Sequence, residues 1–203
     1  MKILDIGCGN RKMAGAVGID VSPDTQADII HDLNSFPYPF PSNEFDRIYC
    51  LDVLEHLKDV IRTMEEIHRL ARKGAGVFIR VPHFTSTLAF GDPTHRHFFN
   101  TQSLDYFCGG FQEYDFYTKV VFKKNRVRLN FWKFHRLNGI SLLANRFPIY
   151  YEKLFAFIFP AMNLEFELEV VKDGLVASPS SDDHEKFKST TGNSYSPAQD
   201  SPP

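Results

Sequence analysis

The chain opens with the stretch MKILDIGCG, residues 1–9, which decides its fold. A mainly apolar run at 3–6 leads into a Gly-x-Gly turn, and one carboxylate, Asp5, stands just before that turn. Glycine accepts a positive φ and leaves no Cβ between the backbone and a ligand. The stretch therefore predicts a buried strand that ends in a turn able to bind a ligand.

The composition is that of an ordinary globular protein. The 203 residues are 43% hydrophobic and 24% charged, which predicts one domain with a sizeable core. A net charge of -2 gives no general argument for a nucleic-acid or anionic-membrane partner, and no DNA partner is expected.

Three cysteines, Cys8, Cys50 and Cys108, form no CxxC pair. Neither a zinc knuckle nor a disulfide framework is predicted, and a reducing, cytoplasmic compartment is expected. Because a strand is predicted at the very start, no signal peptide is expected ahead of it. No apolar run reaches the roughly 20 residues of a transmembrane helix. We therefore expect no transmembrane segment.

Short apolar segments alternate with connections through the first half of the chain. Five of them predict strands, at 2–6, 17–21, 27–31, 45–51 and 75–81. Residues 53–72 repeat apolar side chains at helical spacing and end at Lys73-Gly74, which predicts a long helix. This alternation is typical of an α/β fold, a Rossmann-like, mostly parallel sheet with helices on both faces.

The second half predicts further elements at the edge of the sheet. Residues 101–108 favour a short helix, and 113–130 favour one long strand or a hairpin turning at Lys124-Asn125. Residues 164–171 alternate apolar side chains with glutamates. That pattern predicts a strand with one wet face and an antiparallel edge to the sheet.

Two final segments differ sharply in composition. Residues 147–161 are aromatic and apolar and predict a helix that begins at Pro148. The role of this segment is open between core, dimer contact and membrane-surface contact, so a homodimer stays an alternative. Residues 172–203 turn to Ser, Pro, Asp and Lys, which predicts a disordered tail after a domain at 1–171.

Carboxylates follow four predicted strands at the points where those strands end. They are Asp5, Asp20, Asp32 and Asp52. In open parallel sheets, ligands bind outside the carboxyl ends of the strands, at the switch point of the strand order. An acidic rim there disfavours a pyrophosphate and suits a ligand with hydroxyl and amine donors and a positive charge. Lys12 stands where the third glycine of G-x-G-x-x-G would be, which argues against a nicotinamide dinucleotide.

Five short motifs in this order and spacing resemble the class I S-adenosylmethionine-dependent methyltransferases. They are LDIGCG at 4–9, GID at 18–20, HDL at 31–33, FDRIY at 45–49 and VLEHL at 53–57. The resemblance covers about residues 2–110 and is to the small bacterial type in which the first helix is reduced to a loop. The short connection at 10–16 leaves one wall of the pocket to other residues, for which Arg11 and Lys12 are candidates.

The resemblance implies that S-adenosylmethionine is the cofactor. The glycine turn would shape the methionine end, Asp20 would bind the ribose, and Asp32 with Leu33 would border the adenine. Asp52 would lie beside the methionine and the sulfonium. The implied cofactor-binding residues are Asp5, Gly7, Cys8, Gly9, Asp20, Asp32, Leu33 and Asp52.

The stretch FGDPTHRHFFN at 90–100 follows the fifth strand, where this family often holds its substrate. The expected contacts to a small-molecule acceptor come from His83, Asp92, His95 and His97. His95 is the candidate general base, because imidazole titrates near working pH. The three histidines could also be metal ligands, but no fourth ligand has convincing spacing, so no metal is expected.

The resulting interpretation is an S-adenosylmethionine-dependent methyltransferase that acts on an oxygen or nitrogen atom of a small molecule. An RNA or protein acceptor is the first alternative, because residues 119–136 are basic and interleaved with aromatic side chains. Such a run is more often the wet face of an edge strand, so an RNA partner is not favoured. The second alternative is a non-catalytic binding or scaffold protein that keeps the same fold.

Overall fold

The computed structural model describes residues 1–109, 118–133 and 139–172. Its strands are β1 (Ile3–Ile6), β2 (Val17–Asp20), β3 (Ile29–Ile30), β4 (Phe45–Leu51), β5 (Ala71–Pro82), β6 (Val121–Asn130) and β7 (Asn163–Val171). Its helices are α1 (Val60–Leu70), α2 (Thr87–Gly91), α3 (Ile140–Arg146) and α4 (Pro148–Leu154), with 3-10 turns at Leu54–His56 and Asp105–Phe107.

The seven strands form one sheet in the order β3-β2-β1-β4-β5-β7-β6. Strand β1 pairs in parallel with both β2 and β4, so the strand order reverses at β1. Strand β7 runs antiparallel to β5 and to β6. The Rossmann-like, mostly parallel sheet with an antiparallel edge is therefore confirmed, and its switch point lies at the carboxyl end of β1.

The core lies against the central strands. Side chains such as Leu4, Ile48 and Val77, on three adjacent strands, are fully buried. Helix α1 packs a stripe of buried residues against the sheet, among them Met64 and Ile67. These residues recur at the three-residue and four-residue spacing of one helix face, which is why the periodic pattern marked this segment correctly as helical.

The predicted helix at 53–72 is wrong in extent, because the structure divides this segment. Leu57 is extended (φ -76°, ψ 151°) and ends the first 3-10 turn. Helix α1 then begins after Asp59, whose side chain accepts a hydrogen bond from the Arg62 N–H at 2.9 Å. An aspartate at this capping position satisfies one of the free N–H groups of the first turn. The apolar residues before it belong to a separate turn.

Two other predicted segments differ from the structure, and for a third the structure excludes one of the two alternatives. Residues 101–108 form turns that contain a single 3-10 turn, where a short helix was expected. Strand β6 is one strand with a bulge between Lys124 and Arg126, so no hairpin forms there. Residues 87–91 form α2, although the 83–100 segment, rich in His, Phe and Thr, predicts a loop. The part of the predicted strand at 113–117 and the tail at 173–203 lie outside the described residues.

Helix α4 begins at Pro148, as predicted, and ends at Leu154. Tyr151 of this helix is buried against the core, whereas Phe157, a few residues beyond it, is 81% exposed. The aromatic segment therefore contributes to the core at Tyr151 and is exposed to solvent at Phe157. Among the helices of the described ranges, none is both long enough and apolar enough to cross a membrane.

Candidate functional site

The glycine turn after β1 holds two residues in the left-handed region, Gly7 at φ +66° and Gly9 at φ +50°. Their surroundings are different. A Cβ on Gly7 would lie 2.3 Å from Cγ2 of Val53, whereas a Cβ on Gly9 would meet no atom of the described residues within 4 Å. Gly7 is thus required by packing, and Gly9 presents its backbone to open space where a ligand can approach.

Asp20 ties the end of β2 to this turn. Its Oδ2 accepts a hydrogen bond from the Gly9 N–H at 2.8 Å, and its Oδ1 accepts one from the Ser22 N–H at 3.1 Å. The Gly7 N–H donates to the carbonyl oxygen of Ile19 at 2.8 Å. The carboxylate at the end of β2 is therefore oriented before any ligand is present.

Asp5 orders the short connection that replaces the first helix. It is only 3% exposed, and its Oδ2 accepts a hydrogen bond from the Met13 N–H at 2.8 Å. Burial raises the pKa of Asp5, and the hydrogen bond from Met13 partly opposes that effect. The Asp5 carboxylate thus stabilises the conformation of the 10–16 connection through this hydrogen bond.

Lys12 and Cys8 cover the strand that the shortened connection would otherwise leave bare. A Cβ on Gly18 would lie 2.6 Å from Cδ of Lys12 and 2.7 Å from Sγ of Cys8. The Lys12 Nζ lies 2.8 Å from both carboxylate oxygens of Asp28, and Asp28 in turn accepts a hydrogen bond from the Gly18 N–H at 2.7 Å. Of the two candidates for this wall, Lys12 is the one with these contacts.

Asp32 and Leu33 follow β3. The Oδ1 of Asp32 accepts hydrogen bonds from the backbone N–H and the side-chain amide of Asn34, at 2.9 and 3.1 Å. These bonds hold the pKa of Asp32 below its usual range. Leu33 is buried, and its carbonyl oxygen accepts a hydrogen bond from the Tyr38 hydroxyl at 2.9 Å. Both residues are held in place by neighbours close in sequence.

Asp52 follows β4 with a positive φ of +59°. Its two carboxylate oxygens each lie 3.0 Å from Nε of Arg80, and its N–H donates to the Arg80 carbonyl oxygen at 2.8 Å. The hydrogen bonds that Arg80 donates to Asp52 raise the pKa of Arg80. Because a non-glycine residue rarely adopts this conformation, the neighbouring strand must hold it there.

A cleft of about 620 Å³ begins at Asp52. It is lined by Asp52, Glu55, His56, Arg80, Pro82, Thr87, Leu88, Gly91, Asp92, His95 and Asn163. Two of the four residues expected to contact a substrate, Asp92 and His95, line this cleft. The other two, His83 and His97, do not line it.

His95 presents one ring nitrogen towards the cleft. Its side chain is 7% exposed, and its Nδ1 lies 2.9 Å from the carbonyl oxygen of Ala89. A carbonyl oxygen can only accept, so Nδ1 carries the hydrogen and Nε2 keeps a free lone pair in the neutral ring. Nε2 lies 4.0 Å from Oδ2 of Asp92.

His83 and His97 have structural partners. His83 is fully buried, with Nδ1 2.7 Å from Oγ1 of Thr85 and Nε2 3.3 Å from Oε1 of Glu152. His97 donates from Nε2 to the carbonyl oxygen of Leu57 at 2.9 Å. Their placement therefore favours Asp92 and His95 as the members of this set that face a substrate.

Glu55 and His56 also line the cleft, although their place at the start of the predicted helix favoured a packing role over a chemical one. Glu55 is 1% exposed, and neither of its carboxylate oxygens has a hydrogen-bond partner among the residues that the structure describes. Burial raises the pKa of Glu55 to about 7. The ring centroids of His56 and His95 lie 4.6 Å apart. Burial lowers the pKa of His56. The available signal was their position directly after the end of β4, at the carboxyl edge of the sheet.

Residues 121–130 of the basic stretch that suggested an RNA acceptor form β6, which lies opposite a row of acidic residues on β7. The directly opposed pairs are Lys123 with Glu169, Arg126 with Glu167, and Arg128 with Glu165. Side chains opposed in this way lie on one face of the sheet. The adjacent glutamates therefore offset the positive charge of this face, which weakens the argument for RNA.

Comparison with known proteins agrees with this architecture. A family model described as "Methyltransferase domain" matches residues 1–119, more than half of the chain. A search of curated proteins gave no match.

Solved structures share the fold at low sequence identity. A SAM-dependent methyltransferase from Archaeoglobus fulgidus is 17% identical over 83% of this chain and 85% of its own, with a TM-score of 0.54. The [4+2]-cyclase SpnF is 15% identical over 85% and 75%, with a TM-score of 0.53. Phosphoethanolamine N-methyltransferase 2 of Haemonchus contortus, in complex with S-adenosyl-L-methionine, is 18% identical over 85% and 49%, with a TM-score of 0.52.

Proposed function

Because the chain belongs to the methyltransferase-domain family of the class I S-adenosylmethionine-dependent methyltransferases, we propose that it methylates an oxygen or nitrogen atom of a small molecule. S-adenosylmethionine is its cofactor and methyl donor. The observation that carries the proposal of a small acceptor is the cleft of about 620 Å³ that begins at Asp52, beside the expected position of the sulfonium.

The proposed cofactor site follows the carboxyl edge of the sheet. The backbone at Gly9 is open to the methionine moiety. The carboxylate of Asp20 would accept hydrogen bonds from the ribose hydroxyls, with Asp32 and Leu33 beside the adenine. Asp52, a non-glycine residue with a positive φ, lines the cleft and would lie next to the methyl group. Asp5 and Cys8 contribute to this site through buried contacts, Asp5 with the Met13 N–H and Cys8 with Gly18.

The size and charge of the cleft define the class of acceptor. Clefts that bind small molecules measure roughly 300–1,000 Å³, and this one is about 620 Å³. Its carboxyl groups come from Asp52, Glu55 and Asp92, while the guanidinium of Arg80 in the same lining is paired with Asp52. Such a lining favours an acceptor that carries amine or hydroxyl donors over one that carries phosphate groups.

In the proposed reaction, the acceptor atom attacks the methyl carbon in line with the carbon–sulfur bond. A carbon–oxygen or carbon–nitrogen bond forms as the carbon–sulfur bond breaks, and S-adenosylhomocysteine leaves as a neutral sulfide. Placement of the two reactants supplies much of the rate. The free Nε2 of His95 accepts the proton that the acceptor loses, and Asp92, 4.0 Å away, stabilises the imidazolium.

The acceptor class is tested by incubating the protein and methyl-labelled S-adenosylmethionine with a cell extract, then separating the extract by size. Label should enter the small-molecule fraction. Incorporation that appears only in RNA or in protein would contradict the proposed acceptor, and a complete lack of incorporation across all fractions would support a non-catalytic role of the fold.

The proposed base is tested by His95→Gln, with His31→Gln as the matched control. Removing a general base should lower kcat by about 10²–10⁴-fold, while the affinity for S-adenosylhomocysteine stays the same. His31 bonds to the Ser35 carbonyl oxygen and is not among the residues that line the cleft, so its variant should keep wild-type kcat. An unchanged kcat in His95→Gln would remove His95 from the mechanism.

A further inference from the structure

Three side chains in the cleft, Glu55, His56 and His95, place one candidate ligand atom each within 4.8 Å of one another. We propose that they bind one divalent transition-metal ion, such as Zn²⁺. The earlier expectation of no metal rested on the spacing of His83 and His97 with His95, and the structure holds those two histidines in other bonds. The cluster forms from different residues, two of which follow β4.

Glu55 is the member of the cluster that requires a partner. Its side chain is 1% exposed, and within the described parts of the chain neither carboxylate oxygen has a hydrogen-bond donor. Buried polar groups are nearly always satisfied, and a buried charge without a partner is strongly unfavourable. A cation at the centre of the cluster would bind one of these oxygens and neutralise the buried carboxylate.

The two histidines are oriented as metal ligands usually are. His95 donates from Nδ1 to the carbonyl oxygen of Ala89 at 2.9 Å. The hydroxyl of Thr94 donates to Oδ1 of Asp92 at 2.6 Å, so it accepts from Nδ1 of His56 at 2.8 Å. Both rings therefore keep a free lone pair on Nε2. In metal sites, the second ring nitrogen of a ligating histidine commonly donates to an outer partner in this way.

The backbone holds the cluster together without an ion. The N–H groups of Arg96 and His97 donate to the carbonyl oxygen of Glu55, at 2.7 and 3.3 Å. His97 also donates from its ring to the carbonyl oxygen of Leu57 at 2.9 Å. These bonds dock the loop that carries His95 onto the turn that carries Glu55. Binding an ion would therefore require only small side-chain movements.

The donor set selects the kind of ion. Two imidazole nitrogens and one carboxylate oxygen suit Zn²⁺ and other first-row transition metals, whereas Mg²⁺ prefers an octahedron of oxygen ligands. Three protein ligands leave a coordination position open, as in catalytic zinc sites. Here that position would face the cleft, where the acceptor is proposed to bind.

Metal binding would change how the acceptor loses its proton, and this consequence, unlike the site itself, rests on the proposed function. Ligation occupies the same Nε2 lone pair of His95 that would serve as a base. In the metal-bound protein, a hydroxyl of the acceptor would bind the ion, its pKa would fall, and its proton would pass to water. The methyl carbon still moves from sulfur to that oxygen.

The site is tested by calorimetric titration of the metal-free full chain with zinc chloride, and in parallel with magnesium chloride. Cofactor and acceptor are left out, so the result does not depend on methyl transfer. One zinc ion per chain should bind, and magnesium should not. Glu55→Gln and His56→Gln should each weaken zinc binding by more than about tenfold, whereas His31→Gln should leave it unchanged.

A variant at a residue that does not itself ligate the ion distinguishes a specific site from adventitious binding. Thr94→Val keeps the side-chain shape and removes the hydroxyl that orients His56, so zinc affinity should fall by about 10–100-fold. Glu55→Gln removes a buried charge and should fold, which a melting curve verifies. The proposal is overturned if zinc does not bind, or if binding is unchanged in Glu55→Gln. A cobalt spectrum with a sulfur-to-metal charge-transfer band would also overturn it, by placing the ion on a cysteine.

Discussion

Gly7 and Gly9 are two residues apart and share a left-handed conformation, yet only one of them has space for a side chain. We expect Gly9→Ala to cost about 1–2 kcal/mol of stability, because a left-handed conformation disfavours Cβ. Its methyl group would occupy the space proposed for the methionine moiety. The variant should therefore fold but lose the rise in melting temperature that S-adenosylhomocysteine gives to the wild type.

Gly7→Ala is the matched comparison for that prediction. The same conformational cost applies, and a Cβ at 2.3 Å from Val53 adds about 1–3 kcal/mol of overpacking. Denaturant unfolding should show Gly7→Ala to be the less stable of the two variants. Equal stability, or a normal ligand response in Gly9→Ala, would contradict the assignment of Gly7 to packing and Gly9 to the ligand.

At the scale of elements, His68 joins helix α1 to the end of strand β7. Its Nε2 donates to the Val171 carbonyl oxygen at 2.9 Å, and its ring packs edge-on against Phe122. Burial lowers the pKa of His68 in the folded protein. The stability that comes from the neutral ring is therefore complete above the unfolded pKa and is lost as the pH falls through it.

We therefore expect the melting temperature to fall between about pH 7.5 and about pH 5.5, on either side of the ordinary histidine pKa. His68→Gln should make this decline shallower, because glutamine does not titrate. The measurement is thermal unfolding followed at several pH values. An equally steep decline in His68→Gln would assign the pH response to other groups, and His31→Gln serves as the control.

The charges of β6 and β7 predict a change in RNA binding. Replacing Glu165, Glu167 and Glu169 by glutamine removes three negative charges, which changes the net charge from -2 to +1. The basic side chains of β6 would lose their opposing partners. In binding assays at increasing salt, the triple variant should bind RNA in a salt-dependent manner, whereas the wild type should not. Salt-dependent binding by the wild type would favour an RNA acceptor.

At the scale of the whole molecule, the cofactor should stabilise the fold. S-adenosylhomocysteine at about 100 times its Kd should add about 2.7 kcal/mol, which raises the melting temperature of a chain of this size by about 5–11 °C. Asp20→Ala should abolish the shift, because the carboxylate that bonds to Gly9 and would bind the ribose is gone. Differential scanning fluorimetry measures both.

Asp24→Ala is the control for that experiment, since Asp24 is an exposed acidic residue in the same loop. It should keep the full shift. A shift that survives in Asp20→Ala would contradict the assigned ribose contact. No shift in the wild type at millimolar ligand would contradict cofactor binding in this pocket.

Much of the fold follows from local pattern. The strands at 3–6 and 45–51 and the start of α4 at Pro148 were predicted within a residue or two, because alternation and proline geometry act over neighbouring residues. The helix boundary was missed because apolar spacing continues across Leu57, while the cap at Asp59 begins a new helix. Periodicity gives the type of an element more reliably than its ends.

The sequence by itself determined the glycine turn, the acidic rim and the family, because these are properties of short segments at the ends of strands. Only the tertiary structure decided which side chains meet. Lys12 covers Gly18, the glutamates of β7 oppose the basic residues of β6, and His95 reaches the turn that carries Glu55. Such contacts depend on the packing of segments far apart in the chain, which no local pattern encodes.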